Sequence, residues 1–127
     1  MLLCLWFSRM SDNAVHDDIQ DLLLMMQLKN AASRAFGLVG FKVNEAMILI
    51  YVDQGVRQPR KLMKTMNIIA PTLSLFTTKL REKGLITKRS NAEDGRQVDL
   101  HLTERGHEAV AELKQAWARE MNEMRQG

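Results

Sequence analysis

The side chains best suited to chemistry lie close together in this chain. Lys88, Arg89 and Arg96 bracket a short polar stretch in which Asp94 stands two residues before Arg96, with Gly95 between them. Guanidinium and ammonium groups at this density suit phosphate oxygens, and a guanidinium can also pair with base edges. Just upstream, residues 71–79 (PTLSLFTTK) offer small hydroxylated side chains instead of a run of Glu and Lys. Residues 57–105 carry 11 of the 18 basic side chains and 5 of the 15 acidic ones, a local balance of +6 against +3 for the whole chain. Concentrated positive charge of this kind is the electrostatic footprint of a nucleic-acid-binding face.

Other chemistries find little support. His16, His101 and His107 do not form a metal-spaced set with Cys4 or with the carboxylates. There is no glycine-rich phosphate loop and no activated Ser or Cys motif. We therefore expect no enzyme, no metal site and no cofactor. One cysteine excludes an internal disulfide framework and fits a reducing, cytoplasmic compartment. The opening MLLCLWF is apolar for only seven residues and has no basic region before it. It is too short for a membrane span and poorly formed as a secretory signal. It reads as a segment packing on the domain or on a partner chain, or as lying before a true start at Met10.

The elements that must position these groups can be read from periodicity and stop signals. Residues 15–36 predict a helix, with Ile19, Leu22, Leu23, Met26 and Phe36 at helical spacing. Leu24 and Met25 widen its stripe beyond what one core needs, as in a helix buried on more than one side. Residues 44–54 suit a strand by composition, but Asn44 as N-cap, Glu45 in the first turn and Gly55 as stop favour a helix. Pro59 starts a short helix, PRKLMKTM. Residues 70–83 form the next, with Pro71 in its first turn and Gly84 as a left-handed stop. Its core face holds Leu73, Phe76, Thr77 and Leu80. The outward face presents Pro71, Leu75, Thr78 and Glu82, flanked by Thr72, Ser74 and Lys79. LITKRS and QVDLHLT predict a hairpin, with Val98, Leu100 and Leu102 on its buried side. Thr103 caps a final helix, 104–125, whose stripe Val110, Leu113, Trp117, Met121 and Met124 is long for a core already supplied.

A short helix, a tight connection, a second helix and a hairpin make the layout of a winged helix-turn-helix. The fold class is thus mainly α with a small β-hairpin wing. A helix fits the major groove, and a basic hairpin tip can lie along the backbone or enter the minor groove.

LREKGLITKRSNAEDGRQVDLHLTERG resembles the signature of the multiple antibiotic resistance regulator (MarR) family. Leu80, Gly84, Leu85, Ile86, Asp94, Arg96, Leu102, Thr103 and Gly106 stand at the family's positions. The resemblance implies that Arg96 is the wing-tip arginine entering the minor groove and that Asp94 orients it. It assigns DNA contact to Pro71, Thr72, Ser74, Leu75, Thr78, Lys79, Lys88, Arg89, Asp94 and Arg96. It also implies a homodimer built by the N- and C-terminal helices, with Ile19, Leu22, Leu23, Val110, Leu113, Trp117, Met121 and Met124 at the interface. On that pattern residues 1–127 form one domain. Segments 11–36 and 104–127 dimerise, and 44–103 is the DNA-binding lobe. The implied partners are double-stranded DNA with a pseudo-palindromic operator and a small aromatic or phenolic effector that releases a repressor; no membrane is implied. The chain departs from the family pattern at three places. Leu75 stands where a basic residue is common, Ile69 where a Ser or Thr cap is common, and Gln58-Pro59 in place of a Thr or Ser. These departures leave the operator sequence open. The rival reading is a winged helix that binds protein, or DNA without sequence preference.

Overall fold

The structure is a computed structural model. It describes residues 14–127 apart from Ala92 and Asp94, and only the backbone of residues 14–16. In chain order the elements are α1 (Ala14–Leu38), α2 (Val43–Asp53), α3 (Pro59–Met66), α4 (Ala70–Glu82), β1 (Ile86–Ser90), β2 (Val98–Leu102) and α5 (Glu104–Gln126). The strands pair antiparallel, with Ile86 opposite Leu102, Lys88 opposite Leu100 and Ser90 opposite Val98. The outer edge of β2 is covered in part by the chain before α3, where the Leu100 N–H donates to the Arg57 carbonyl at 2.8 Å.

The ambiguous apolar run 46–52 is a helix because it serves several neighbours at once. α2 touches α1, α4, α5 and β2. Ile48, Leu49 and Val52 are buried among Leu62 of α3, Leu80 of α4, Leu100 of β2 and Leu113 of α5. Asn44 is not its N-cap. The helix begins at Val43, with Lys42 as N-cap two residues before Asn44, and the Glu45 carboxylate accepts the Lys42 backbone N–H at 3.0 Å. Only this return half of a capping box can form, since a lysine side chain has no acceptor.

Two helix stops set the geometry of α3, α4 and the hairpin. Asn67, in the left-handed region at φ 53° and ψ 50°, ends α3 and swings the chain into α4. The Ile68 N–H reaches back to the Met63 carbonyl at 3.0 Å, the closing bond of a Schellman motif. Asparagine is among the few residues other than glycine that tolerate this conformation. Gly84, at φ +75°, ends α4 in the same way, with the Leu85 N–H on the Leu80 carbonyl at 3.0 Å. The chain then enters β1 directly.

Thr103 ties the wing back to α4. Its Oγ1 accepts the Gly106 N–H at 3.1 Å, capping α5 as expected, and donates to the Gly84 carbonyl at 2.6 Å. Its backbone N–H donates to the Leu85 carbonyl at 3.0 Å. Gly106 sits so close to this junction that a Cβ would collide with the Leu85 carbonyl oxygen.

Two expectations about faces are corrected. Val98 is 40% exposed: it lies at the strand end in an open recess with Gln58, Pro59 and Arg60. Val110 and Leu113 are buried within the chain's own core, at 3% and 0% exposure, and so are not free for a partner. α5 passes over α2 there, and the stripe divides: its N-terminal half fills the core, while Trp117 and Met121 are half-buried and Met124 is exposed. α1 divides in the reverse order. Ala31, Ala35 and Phe36 are buried, but Ile19 and residues 22–26 are all 45–64% exposed. Arg34 holds α1 to α5 through Glu120, with Nη2 to Oε1 at 2.9 Å, and Phe36 packs on Trp117 with ring centroids 6.1 Å apart.

Candidate nucleic-acid interface

α4 is amphipathic in the sense its sequence predicts. Leu73, Thr77 and Leu80 are buried and Phe76 is half-buried, while Pro71, Ser74, Leu75, Thr78 and Glu82 are exposed. Thr72 and Lys79 flank the outward face and are half-buried. Thr77 donates its hydroxyl to the Ser74 carbonyl at 3.2 Å, which satisfies it inside the core. Two cations at the C-terminal end, Lys79 and the C-cap Lys83, are engaged locally, while Arg81 is exposed. The Lys79 ammonium rests 5.9 Å over the Phe76 ring. Lys83 is bound to buried Glu45 at 3.3 Å and lies 5.2 Å over Phe41. The N-terminal half of the outward face is therefore neutral, with hydroxyls around an apolar centre at Leu75, which is 54% exposed.

Positive charge comes from the elements on either side. In β1, Lys88 and Arg89 are both exposed, but strand alternation sends them to opposite faces of the hairpin. Lys88 shares the helix-facing side with Leu100 and lines a recess with Ser74 and Thr77, so it lies beside the recognition helix. Arg89 is paired across the strands with Asp99 on the other face. Arg96 is exposed near the tip of the wing. Asp94 lies outside the described residues.

The wing owes its shape to a residue that sequence reading missed. Asn91 donates its backbone N–H to the Gln97 carbonyl at 2.8 Å and accepts the Glu93 N–H at Oδ1, also at 2.8 Å. Its amide reaches both Asp99 oxygens, at 3.3 and 3.2 Å. An asparagine turning the chain through its own side chain is an Asx turn, and its position at the start of the loop was the available signal.

Sequence reading also left the cations of α3 unassigned. Leu62 is its buried anchor, and Arg60, Lys61 and Lys64 are exposed around it, with Arg57 exposed just before. In a helix-turn-helix the first helix crosses the phosphate backbone, and this one carries the charge for that role.

A second feature lies away from this face. An apolar cavity of about 340 Å³ opens between α1, α2 and α5, lined by Ala32, Phe36, Met47, Ile50, Leu113 and Trp117, with Lys114. The Lys114 ammonium is 3.1 Å from Asp53. Among the described residues no single helix is long and apolar enough to cross a membrane.

An outward helix carrying small polar groups, a cationic first helix and a basic hairpin together define a winged-helix DNA-binding regulator of transcription. The comparisons agree. The sequence profile of the transcriptional regulator SarA/Rot family matches residues 19–113, most of the chain, and the protein belongs to that family. No curated protein is significantly similar to it in sequence. Among solved structures it resembles wild-type MarR from E. coli, with a TM-score of 0.76 at 15% identity, over 84% of this chain and 80% of that one. It also resembles BldR from Sulfolobus solfataricus, with a TM-score of 0.73 at 19% identity, over 91% and 85%. A mutant of S. aureus MepR bound to an oligodeoxyribonucleotide superposes with a TM-score of 0.64 at 21% identity, over 86% and 78%. At these identities the likeness is one of fold, and it bears out the MarR-type winged helix expected from the sequence. Members of this class are regulators and not enzymes.

Proposed function

We propose that the chain acts in the cytoplasm as a homodimeric, sequence-specific repressor. Two α4 helices enter successive major grooves of a pseudo-palindromic operator, and the two wings reach the flanking minor grooves. The observation that carries this reading is the outward face of α4, uncharged in its N-terminal half with hydroxyls around Leu75, and accompanied by exposed Lys88 and the exposed cations of α3. In this scheme Thr72, Ser74, Leu75 and Thr78 meet base edges, with Pro71 and Lys79 at the margins of the contact. Lys88, Arg89, Arg60, Lys61 and Lys64 meet phosphates. Arg96 enters the minor groove, oriented by Asp94. The MepR neighbour, which is bound to an oligodeoxyribonucleotide, supports DNA as the partner.

Dimerisation is supported by the first half of α1. Ile19, Leu22, Leu23, Leu24, Met25 and Met26 are exposed together on a single chain. Five consecutive residues cover the whole circumference of a helix. A patch of that kind marks an interface, and a second copy wrapping the helix would cover it. Trp117, Met121 and Met124 continue the surface on α5. Residues 11–36 and 104–127 thus serve the dimer and residues 44–103 the DNA. The cavity lined by Phe36, Met47 and Trp117 supports a small aromatic or phenolic effector, with Lys114 near enough to meet an anion.

The test is fluorescence anisotropy on the DNA beside the protein's own gene and on a scrambled duplex, each across a salt series. Specific binding should exceed non-specific binding by about a thousandfold. Arg96→Ala should weaken binding and lower the log–log salt slope by about 0.9 if the arginine neutralises one phosphate. Equal affinity for both duplexes would refute a sequence-specific repressor.

A further inference from the structure

On the reading that α4 docks in the major groove, its chemistry narrows what it can recognise there. Residues 69–78, which span its N-cap and first two turns, contain no Arg, Lys, Asn or Gln. Those are the side chains that pair bidentately with guanine or adenine. The stretch is left with hydroxyls, which accept several partners, and with apolar atoms. Pro71 and Leu75 are four residues apart, so they share one face of the helix. Both are exposed, and Leu75 presents more than half of its surface. No other described residue of the chain buries them.

We propose that Leu75, with Pro71 beside it, reads the C5-methyl groups of thymines, and that this contact is the principal base-specific signal of each half-site. The thymine methyl is the apolar feature that the major groove offers, and it distinguishes T from every other base. The surroundings favour DNA over a protein as the occupant. Exposed cations stand near the patch: Lys88 lines a recess with Ser74 of α4 and with Pro59 and Met63 of α3, and Arg60, Lys61 and Lys64 are exposed on α3. An apolar protein surface would have to desolvate these cations, whereas a duplex meets them with phosphates. Pro71 and Leu75 are about 6 Å apart along the helix axis, at about 1.5 Å per residue. That is close to two base-pair steps of roughly 3.4 Å. The methyl-sensitive positions should therefore fall within three consecutive base pairs of each half-site.

The experiment begins with the tightest-binding duplex recovered from a random-sequence pool. Each thymine is replaced by deoxyuridine, one at a time, which deletes the methyl and leaves base pairing intact. Burying one such carbon contributes about 0.8 kcal/mol, so each methyl that is read should carry an affinity loss of about fourfold. We expect that loss at one to three positions within such a stretch per half-site and none at other thymines. Leu75→Ala, an exposed substitution that leaves the core untouched, should bind the thymine duplex more weakly and become indifferent to uracil at those positions. Two results would overturn the proposal while leaving the regulator reading intact. One is specific binding with no methyl-dependent position. The other is an undiminished uracil effect in Leu75→Ala. Failure of the pool to yield any preferred duplex would overturn both together.

Discussion

Replacing Gly106 with alanine tests the junction that holds the wing against the recognition helix. Gly106 lies in the first turn of α5, a position where alanine is ordinarily favoured over glycine by about 0.5–1 kcal/mol. Here the added Cβ would collide with the Leu85 carbonyl oxygen, while the Leu85 carbonyl carbon and the Leu102 Cβ lie at 3.1 and 3.3 Å. Two of these three neighbours are backbone and cannot rotate away, so α5 must lift. Lifting it strains the bond from the Thr103 N–H to the Leu85 carbonyl and the bond from the Thr103 hydroxyl to the Gly84 carbonyl. Two such bonds contribute about 1 kcal/mol each. Overpacking adds about 1–3 kcal/mol. After the gain in helix propensity, the net destabilisation should be about 3 kcal/mol. In urea unfolding followed by circular dichroism, that lowers the midpoint by roughly 1.5 M for a slope near about 2 kcal/mol/M. Protein concentration must be held constant, because the proposed dimer would shift apparent stability. Gly37→Ala is the matched control: Gly37 is also helical, but a Cβ there meets nothing within 4 Å. It should be neutral or stabilising by up to about 1 kcal/mol. Equal midpoints for Gly106→Ala and wild type would refute the account of the junction.

Other expectations follow from the same geometry. Arg60→Gln combined with Lys64→Gln should reduce affinity for specific and random duplexes alike and flatten the salt dependence by about 0.9 for each phosphate no longer neutralised; an unchanged slope would remove α3 from the DNA backbone. Leu22→Glu with Leu23→Glu should leave the fold intact by circular dichroism and yield monomers in sedimentation velocity at low micromolar concentration, and a persistent dimer would place the interface elsewhere. Asn91→Ala removes the Asx turn and the hydrogen bonds to Asp99, so it should weaken specific DNA binding with little loss of global stability. Thermal unfolding run beside anisotropy separates those two effects, and unaltered affinity would mean that the wing does not need this turn. Trp117→Ala should enlarge the cavity and abolish any thermal shift produced by a phenolic acid such as salicylate. A shift of equal size in the variant would move the effector site away from Trp117.

Much of this protein was already legible in its local sequence. The faces of α4 follow from helical spacing alone, and burial agrees at Leu73, Thr77, Leu80, Pro71, Leu75 and Thr78. The Gly84 stop and the Thr103 cap are set by residue type within a turn of the chain, where the backbone requirement and the side chain that meets it are neighbours. The concentration of charge in residues 57–105 is likewise a matter of composition.

Only the tertiary structure decided what depends on residues far apart in the chain. Periodicity marks a stripe as apolar but does not say which body covers it. Val110 and Leu113 therefore read as part of the same face as Trp117 and Met124, although α2 buries the first pair and leaves Met124 exposed. The N-cap of α2 moved to Lys42 because Glu45 could bond two partners from that start, the Lys42 N–H and Lys83 from 38 residues away. Gly106 looks like an ordinary weak point in a helix until α5 is seen against the Leu85 carbonyl. Lys88 and Arg89, adjacent in sequence, part company because a strand alternates its side chains and only one of its faces looks toward α4. Local chemistry determined the elements and their charge. Long-range packing determined which of their surfaces are buried and which stay exposed.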